Sequence, residues 1–187
     1  QYGVQQVQFA DGTTLSATQL LSMARTIDGT TGADTLYGTS GADLFDGKGG
    51  SDVEVGDGGS DTFVFNVGYG HLEISEAYSG TAQPVLQLGA GISEPSLTVK
   101  AASDGRGLVL TDGMSGDQVT IDGMLSNANA GVQQVQFADG TILSATQLLS
   151  MARTIDGTTG NDTLAGTSGP DLFDGKGGSD VEVGDGG

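Results

Sequence analysis

The sequence predicts an all-β chain in which short stacked coils of a solenoid alternate with a small β domain closed by a short helix. Three observations carry this. Glycine and aspartate recur in fixed slots every nine residues from Gly29, the chain contains a near-copy of one of its own segments, and the stretch between the two Gly/Asp blocks alternates apolar and polar residues between turn signals.

The duplication sets the organisation. Gly3–Gly59 reappears as Gly131–Gly187 at an offset of 128, and of these 57 positions only Thr14/Ile142, Ala33/Asn161, Tyr37/Ala165 and Ala42/Pro170 differ. One period plus part of a neighbouring one is expected of an excerpt from a longer tandem array. The expected units are the C-terminal end of a preceding β domain (1–28), a first roll (29–65), a β domain with a terminal helix (66–156) and the truncated start of a second roll (157–187).

Within the first block the rule is G-x-x-G-x-D-x-U-x, where U is a large apolar residue. Modules start at Gly29, Gly38, Gly47 and Gly56, their aspartates are Asp34, Asp43, Asp52 and Asp61, and their U residues are Leu36, Phe45, Glu54 and Phe63. The second block repeats this from Gly157, Gly166 and Gly175 with Asp162, Asp171 and Asp180. GxxGxD suits a tight turn in which glycine reaches positive φ. The remaining x-U-x is a short strand with one inward side chain. One such strand buries nothing alone, whereas stacked coils align the U residues in a narrow core and the aspartates along an edge. Stacked carboxylates repel unless a hard cation lies between them, and oxygen-only donors at this density suit Ca²⁺. Glu54 breaks the U rule, so Val53 or Val55 is expected to fill that slot after a local shift, or the slot to pack poorly. Position 2 is Thr30, Thr39, Lys48 and Asp57 rather than glycine, which reduces backbone freedom there.

In the middle segment, apolar alternation predicts strands at Leu72–Ile74, Val85–Leu88, Leu97–Ala101, Leu108–Thr111, Val119–Ile121 and Val132–Phe137. Ser144 and Gln147 have capping-box spacing ahead of Leu148 and Leu149, which predicts a short helix, and Ser16 and Gln19 repeat that signal.

Composition excludes several functions. With 24 acidic against 6 basic residues the net charge is −18, so nucleic acid and anionic membrane would be repelled. No apolar run approaches the roughly 18 residues of a membrane span, and no membrane insertion is expected. Cysteine is absent and His71 is the single histidine, so thiolate and zinc chemistry have no ligands, and His71 reads as an ordinary polar residue. There is no G-x-S-x-G and no HExxH. A carboxylate-pair enzyme is left formally open, but the acids follow a repeating structural rule, so no enzyme is expected. Thr30 and Thr39 begin a threonine stripe that Lys48 and Asp57 interrupt, which argues against an ice-binding face.

The Gly/Asp blocks resemble the RTX (haemolysin-type) calcium-binding nonapeptide repeat, G-G-x-G-x-D-x-U-x. The stretches "GLVLTDGMSGDQVTIDGML" and "VQFADGTILSATQLL" resemble the related domain that follows such repeats. The resemblance implies a parallel β-roll with two nonapeptides per coil and Ca²⁺ between turns two modules apart. It further implies ligation by the aspartates and by turn carbonyls. Gly29, Thr31 and Asp34 would face Lys48, Gly50 and Asp52, and Gly38, Ser40 and Asp43 would face Asp57, Gly59 and Asp61. Downstream, Gly157, Thr159 and Asp162 would face Lys176, Gly178 and Asp180. Gly166, Ser168 and Asp171 would face Asp185 and Gly187. An Asp-rich stretch is expected where "GYGHLEISE" stands, so no extra ion is assigned to Glu73 or Glu76.

Residues Gly29–Phe65 hold seven acids and one lysine, so self-repulsion opposes folding until Ca²⁺ binds. The resemblance implies export by type I secretion and folding at extracellular Ca²⁺. The expected role is a calcium-binding structural repeat of a large secreted or cell-surface protein, an adhesin-like stalk or spacer. Its expected partners are calcium ions and neighbouring repeat units, with end-to-end self-association a further expectation. The alternative is the C-terminal secretion and folding module of a type I-secreted protease, lipase or polysaccharide-modifying enzyme.

Overall fold

The computed structural model describes residues 4–19, 25–77, 80–166 and 171–184. A hairpin, β1 (Gln6–Gln8) and β2 (Thr14–Ser16), precedes the strands of the first roll: β3 (Thr26–Asp28), β4 (Thr35–Tyr37), β5 (Leu44–Asp46), β6 (Gly50–Val55) and β7 (Thr62–Phe65). The middle segment adds β8 (Gly70–Ser75), β9 (Val85–Leu88), β10 (Thr98–Ala101), β11 (Leu108–Thr111), β12 (Gln118–Ile121), β13 (Gln134–Gln136), β14 (Ile142–Ser144) and helix α1 (Ala145–Arg153). The second roll holds β15 (Thr154–Asp156), β16 (Thr163–Ala165), β17 (Leu172–Asp174) and β18 (Val181–Val183). The chain is a β-solenoid of parallel stacked coils, all-β apart from short helices, as the sequence predicts.

Consecutive strands alternate between two sheets. In the roll β3, β5 and β7 are parallel neighbours in one sheet and β4 and β6 in the other, and every pairing joins residues 18 apart, such as Thr26 with Leu44 and Thr35 with Val53. Two nonapeptides therefore make one coil. Neither sheet stops at Phe65. The first continues β7–β9–β13–β14 and the second β6–β8–β12–β11–β10, so roll and middle segment share one pair of six-stranded sheets. The added strands are Val-, Leu- and Ile-rich, and they cover sheet edges that the roll would otherwise leave open.

The core lies between the sheets as two inward columns. One runs Ile27, Phe45, Phe63, Leu86, Val135, Leu143 across β3, β5, β7, β9, β13 and β14. Phe45 and Phe63, both fully buried, stack with centroids 5.0 Å apart and rings 13° from parallel. The other runs Leu36, Glu54, Ile74, Ile121, Leu108. This corrects the expectation for the broken U slot. There is no shift that brings Val53 or Val55 inward. Both valines are half-buried, and Glu54 keeps the slot at 0% exposure. A shift would break the register of β6 on both sides, with six paired residues to β8, which outweighs relieving one buried carboxyl.

Helix α1 starts as its cap predicts: Gln147 Oε1 accepts from Ser144 N at 2.9 Å and Ser144 Oγ accepts from Gln147 N at 3.4 Å. It buries Ala145, Leu148 and Leu149. Ser16 and Gln19 form the same box, with Ser16 N to Gln19 Oε1 at 2.9 Å, and the remainder of the helix expected there lies outside the described residues. The strand β14, pairing antiparallel with β13, is not anticipated by the periodicity. The second roll repeats the first in miniature: β15 pairs with β17 and β16 with β18, again 18 residues apart.

Candidate metal centre

The 18-residue coil brings the turns of alternate modules into stacks on the two edges of the roll. On one edge turn 29–34 lies against turn 47–52, and on the other turn 38–43 lies against turn 56–61. Position-1 glycines stack so closely that a Cβ on Gly29 would stand 2.6 Å from Gly47 O, and one on Gly38 would stand 2.7 Å from Gly56 O. Position-4 glycines do the same. Gly50 and Gly59 sit at φ +120° and +130°, with no room for a Cβ against the carbonyls of Gly32 and Gly41.

The aspartates meet as the spacing requires. Asp34 N donates to Asp52 Oδ1 at 3.0 Å, Asp43 N to Asp61 Oδ1 at 2.8 Å, and in the second roll Asp162 N to Asp180 Oδ1 at 3.0 Å. The outer aspartates also close their own turns. Asp34 Oδ2 accepts from Thr30 N at 2.7 Å and Thr30 Oγ1 at 2.8 Å, and Asp43 Oδ2 accepts from Thr39 N at 2.7 Å and Thr39 Oγ1 at 2.8 Å. The threonines at position 2 thus act as turn donors. Where position 2 is Lys48, Asp57 or Lys176, the backbone takes the left-handed region at φ 63°, 60° and 59°. A non-glycine residue there costs about 1–2 kcal/mol. The Lys48 side chain turns away to Asp28 (3.2 Å), which leaves its backbone carbonyl as its contribution to the turn.

Burial grades the carboxylates. Asp52 and Asp61 are 3% and 0% exposed and Asp43 is buried, while Asp34, Asp162, Asp171 and Asp180 are half-buried. Burial raises the Asp52 and Asp61 carboxyls above the ordinary range, whereas the Thr30 hydrogen bonds lower Asp34. Glu54 is pushed up to about 8, first by burial and then by the charges of Asp52 and Asp46. Its oxygens find no donor in hydrogen-bonding geometry, the Gly47 amide polarising it only weakly.

In the first roll the turn carrying Gly29, Thr31 and Asp34 stacks on the turn carrying Lys48, Gly50 and Asp52, and the turn carrying Gly38, Ser40 and Asp43 on the turn carrying Asp57, Gly59 and Asp61, with contacts between glycines and between aspartates. Gly157, Thr159 and Asp162 lie against Lys176, Gly178 and Asp180 in the same register. Of the last expected set, Gly166 and Asp171 are described, and Ser168, Asp185 and Gly187 lie outside the described residues. Among the described residues no three carboxylate or imidazole groups converge, so each stack offers a pair of carboxylates. An all-oxygen set of this kind, including a buried Asp61 Oδ2 without a donor, fits a hard cation. His71 instead stands 3.4 Å from Thr120 Oγ1 on the neighbouring strand β12, a polar contact.

One residue at this site is a glutamate to which sequence reasoning assigns no ion. Glu76 is 6% exposed, its Oε1 accepts from Gly58 N at 3.1 Å, and burial followed by the neighbouring Asp61 pushes it up to about 8. The signal is its place directly after β8, where it takes position 1 of the next turn over Gly56.

The family model described as "RTX calcium-binding nonapeptide repeat (4 copies)" matches residues 26–54 and 154–187. That described as "Haemolysin-type calcium binding protein related domain" matches residues 108–147. No curated protein matches the chain significantly.

Proposed function

The chain belongs to the RTX calcium-binding nonapeptide-repeat proteins, and from that premise we propose that it is a structural repeat of a secreted or cell-surface protein that folds on meeting extracellular Ca²⁺ and serves as an adhesin-like stalk or spacer. One observation carries the reading. In both copies the 18-residue coil sets paired aspartates across adjacent turns, Asp34 with Asp52, Asp43 with Asp61 and Asp162 with Asp180.

Bound Ca²⁺ supplies the counter-charge that these pairs lack. The residues supply the rest. Position-1 and position-4 glycines let turns approach, aspartate amides hold the facing carboxylates in place, and the U column buries the strands behind them. Burial without a cation costs several kcal/mol per charge, so metal binding and folding are one event. Extracellular modules of this kind bind at about 10⁻⁴–10⁻³ M, which leaves the chain unfolded in a low-Ca²⁺ cytosol and folded outside. The periodic sheets and the near-identical units at an offset of 128 supply length rather than a unique cleft, and the chain carries out no reaction of its own. Among the described residues no helix is long and apolar enough to cross a membrane.

Far-UV circular dichroism from chelator to about 10 mM Ca²⁺, with Mg²⁺ as control, tests this reading. A cooperative gain of β signal with Ca²⁺ alone is expected. A chain already folded in chelator and unmoved by Ca²⁺ would show that the aspartate pairs are not ligands. For the stalk, small-angle scattering of chains with one, two and three periods should give a maximum dimension rising linearly with period number in Ca²⁺, and a compact scaling would refute it.

A further inference from the structure

The two turn stacks of the first roll end differently. On the Asp34–Asp52 edge the next turn, residues 66–70, is closed by Asp117, whose two oxygens accept from Gly68 N at 2.6 Å and Gly70 N at 3.0 Å. Both oxygens of that closing carboxylate are matched by amides. On the Asp43–Asp61 edge the closing residue is Glu76, and the matching fails.

Val55 pairs with Ser75, and Gly56 N donates to Ser75 O at 3.1 Å, which sets Glu76 directly over Gly56. One amide orients each of two carboxylates here. Gly58 N holds Glu76 Oε1 and Asp43 N holds Asp61 Oδ1. The second oxygens, Glu76 Oε2 and Asp61 Oδ2, both lie over Gly56, and neither has a hydrogen-bond partner. Glu76 is 6% exposed and Asp61 0%, so water does not serve them from bulk. They converge over the Cα of Gly56, where a Cβ would run into Glu76 Oε2 and stand 2.7 Å from Asp61 Oδ2. Two ionised oxygens facing each other in a closed space repel unless a positive charge lies between them.

We propose that Glu76 and Asp61 hold a further Ca²⁺ ion, which ends the Asp43–Asp61 stack one coil beyond the last nonapeptide. The inference rests on reading the stack as a series of Ca²⁺ sites. Glu76 takes the part that an aspartate plays elsewhere in the stack, reaching from position 1 of its turn with a side chain one methylene longer. Carbonyls of the Gly56–Gly58 turn and water fill the six to eight positions that Ca²⁺ requires. The site joins a nonapeptide turn to the segment after it, so the ion bonds roll and middle segment together.

Equilibrium dialysis at saturating Ca²⁺ counts ions on the full 187-residue chain, on Glu76→Gln and on Asp117→Asn. Gln keeps the acceptor toward Gly58 and the side-chain volume. Glu76→Gln is expected to bind one ion fewer than wild type and Asp117→Asn the same number. An unchanged count in Glu76→Gln overturns this site alone and assigns the pair a shared proton, whereas a wild type that binds no Ca²⁺ overturns the broader reading too. Should Glu76→Gln not fold, a wild-type crystal grown in Ca²⁺ decides by anomalous scattering. A peak between Glu76 and Asp61 supports the ion, and peaks only between the nonapeptide turns overturn it.

Discussion

Replacing Glu54 by leucine should stabilise the protein, and the structure sets the size of the gain. Glu54 lies in the inward column between Leu36 and Ile74 at 0% exposure, and neither oxygen is hydrogen-bonded. Burial and the charges of Asp52 and Asp46 raise it from 4.5 to about 8, so the folded chain holds a proton there that the unfolded chain releases above pH 4.5. The folded state binds more protons through this window, so stability from this group is fully present below pH 4.5 and is lost as pH rises toward 8. By pH 7 the loss spans about two and a half units at about 1.4 kcal/mol each, or about 3.5 kcal/mol. Leucine removes that loss and adds apolar burial of about 1.5–3 kcal/mol, offset in part by imperfect fit. Urea unfolding of both proteins at fixed saturating Ca²⁺, at pH 5 and pH 8, reads the difference. Glu54→Leu should be more stable by at least about 3 kcal/mol at pH 8, and the advantage should shrink at pH 5. A Glu54→Leu chain that is less stable at pH 8, or that binds fewer Ca²⁺ ions, would show that the carboxylate is partnered and the reasoning wrong.

The two copies offer a matched comparison. Phe45 is fully buried against Phe63, whereas Phe173 in the same slot of the second roll is half-buried, so Phe45→Ala should cost about 3–5 kcal/mol in urea unfolding and Phe173→Ala markedly less. Ser144→Ala removes the acceptor for Gln147 N and should lower stability by about 1 kcal/mol, seen as a lower urea midpoint at unchanged m-value. Because burial raises the Asp52 and Asp61 carboxyls, protons compete with Ca²⁺ for them. The Ca²⁺ midpoint of folding by circular dichroism should therefore move to higher concentration as pH falls from 7 to 5, and a pH-independent midpoint would contradict this.

The roll is legible in the sequence because its rule is positional. Nine-residue modules fix an 18-residue coil, and Asp34 must then meet Asp52 whatever lies between. After Phe65 the coil length changes. Gly50 pairs with Gly70 at an offset of 20 and Thr62 with Val85 at 23, and the sequence does not show which loop absorbs the added residues. Short apolar runs such as Val85–Leu88 announce a strand but not its partner, so the continuation of both sheets past residue 65 could not be read. Glu76 escapes for the same reason, since its place over Gly56 depends on that offset. Glu54 escapes for another: a pattern rule predicts an apolar residue or a shift, and only the paired register on both sides shows that holding β6 in place outweighs one buried carboxyl.

Core and carboxylate stacks depend on the same coverage. When β7 and β8 lie over β5 and β6, they close Phe45 and Glu54 from water, and the turn between β6 and β7 buries Asp43 against Asp61. The apolar contacts favour adding that coil, and the buried carboxylates oppose it by raising the cost of their own charge. In the second roll, with β17 and β18 uncovered among the described residues, Phe173 gains less and Asp180 and Glu182 are buried less. Gain and penalty thus scale together with each added coil, and the apolar side alone does not decide the outcome. A cation between the turns reverses the sign of the electrostatic contribution without altering the apolar one. On the proposed reading, each coil that seats its ion also prepares the turn that the next ion needs, so folding on Ca²⁺ is expected to be cooperative along the roll.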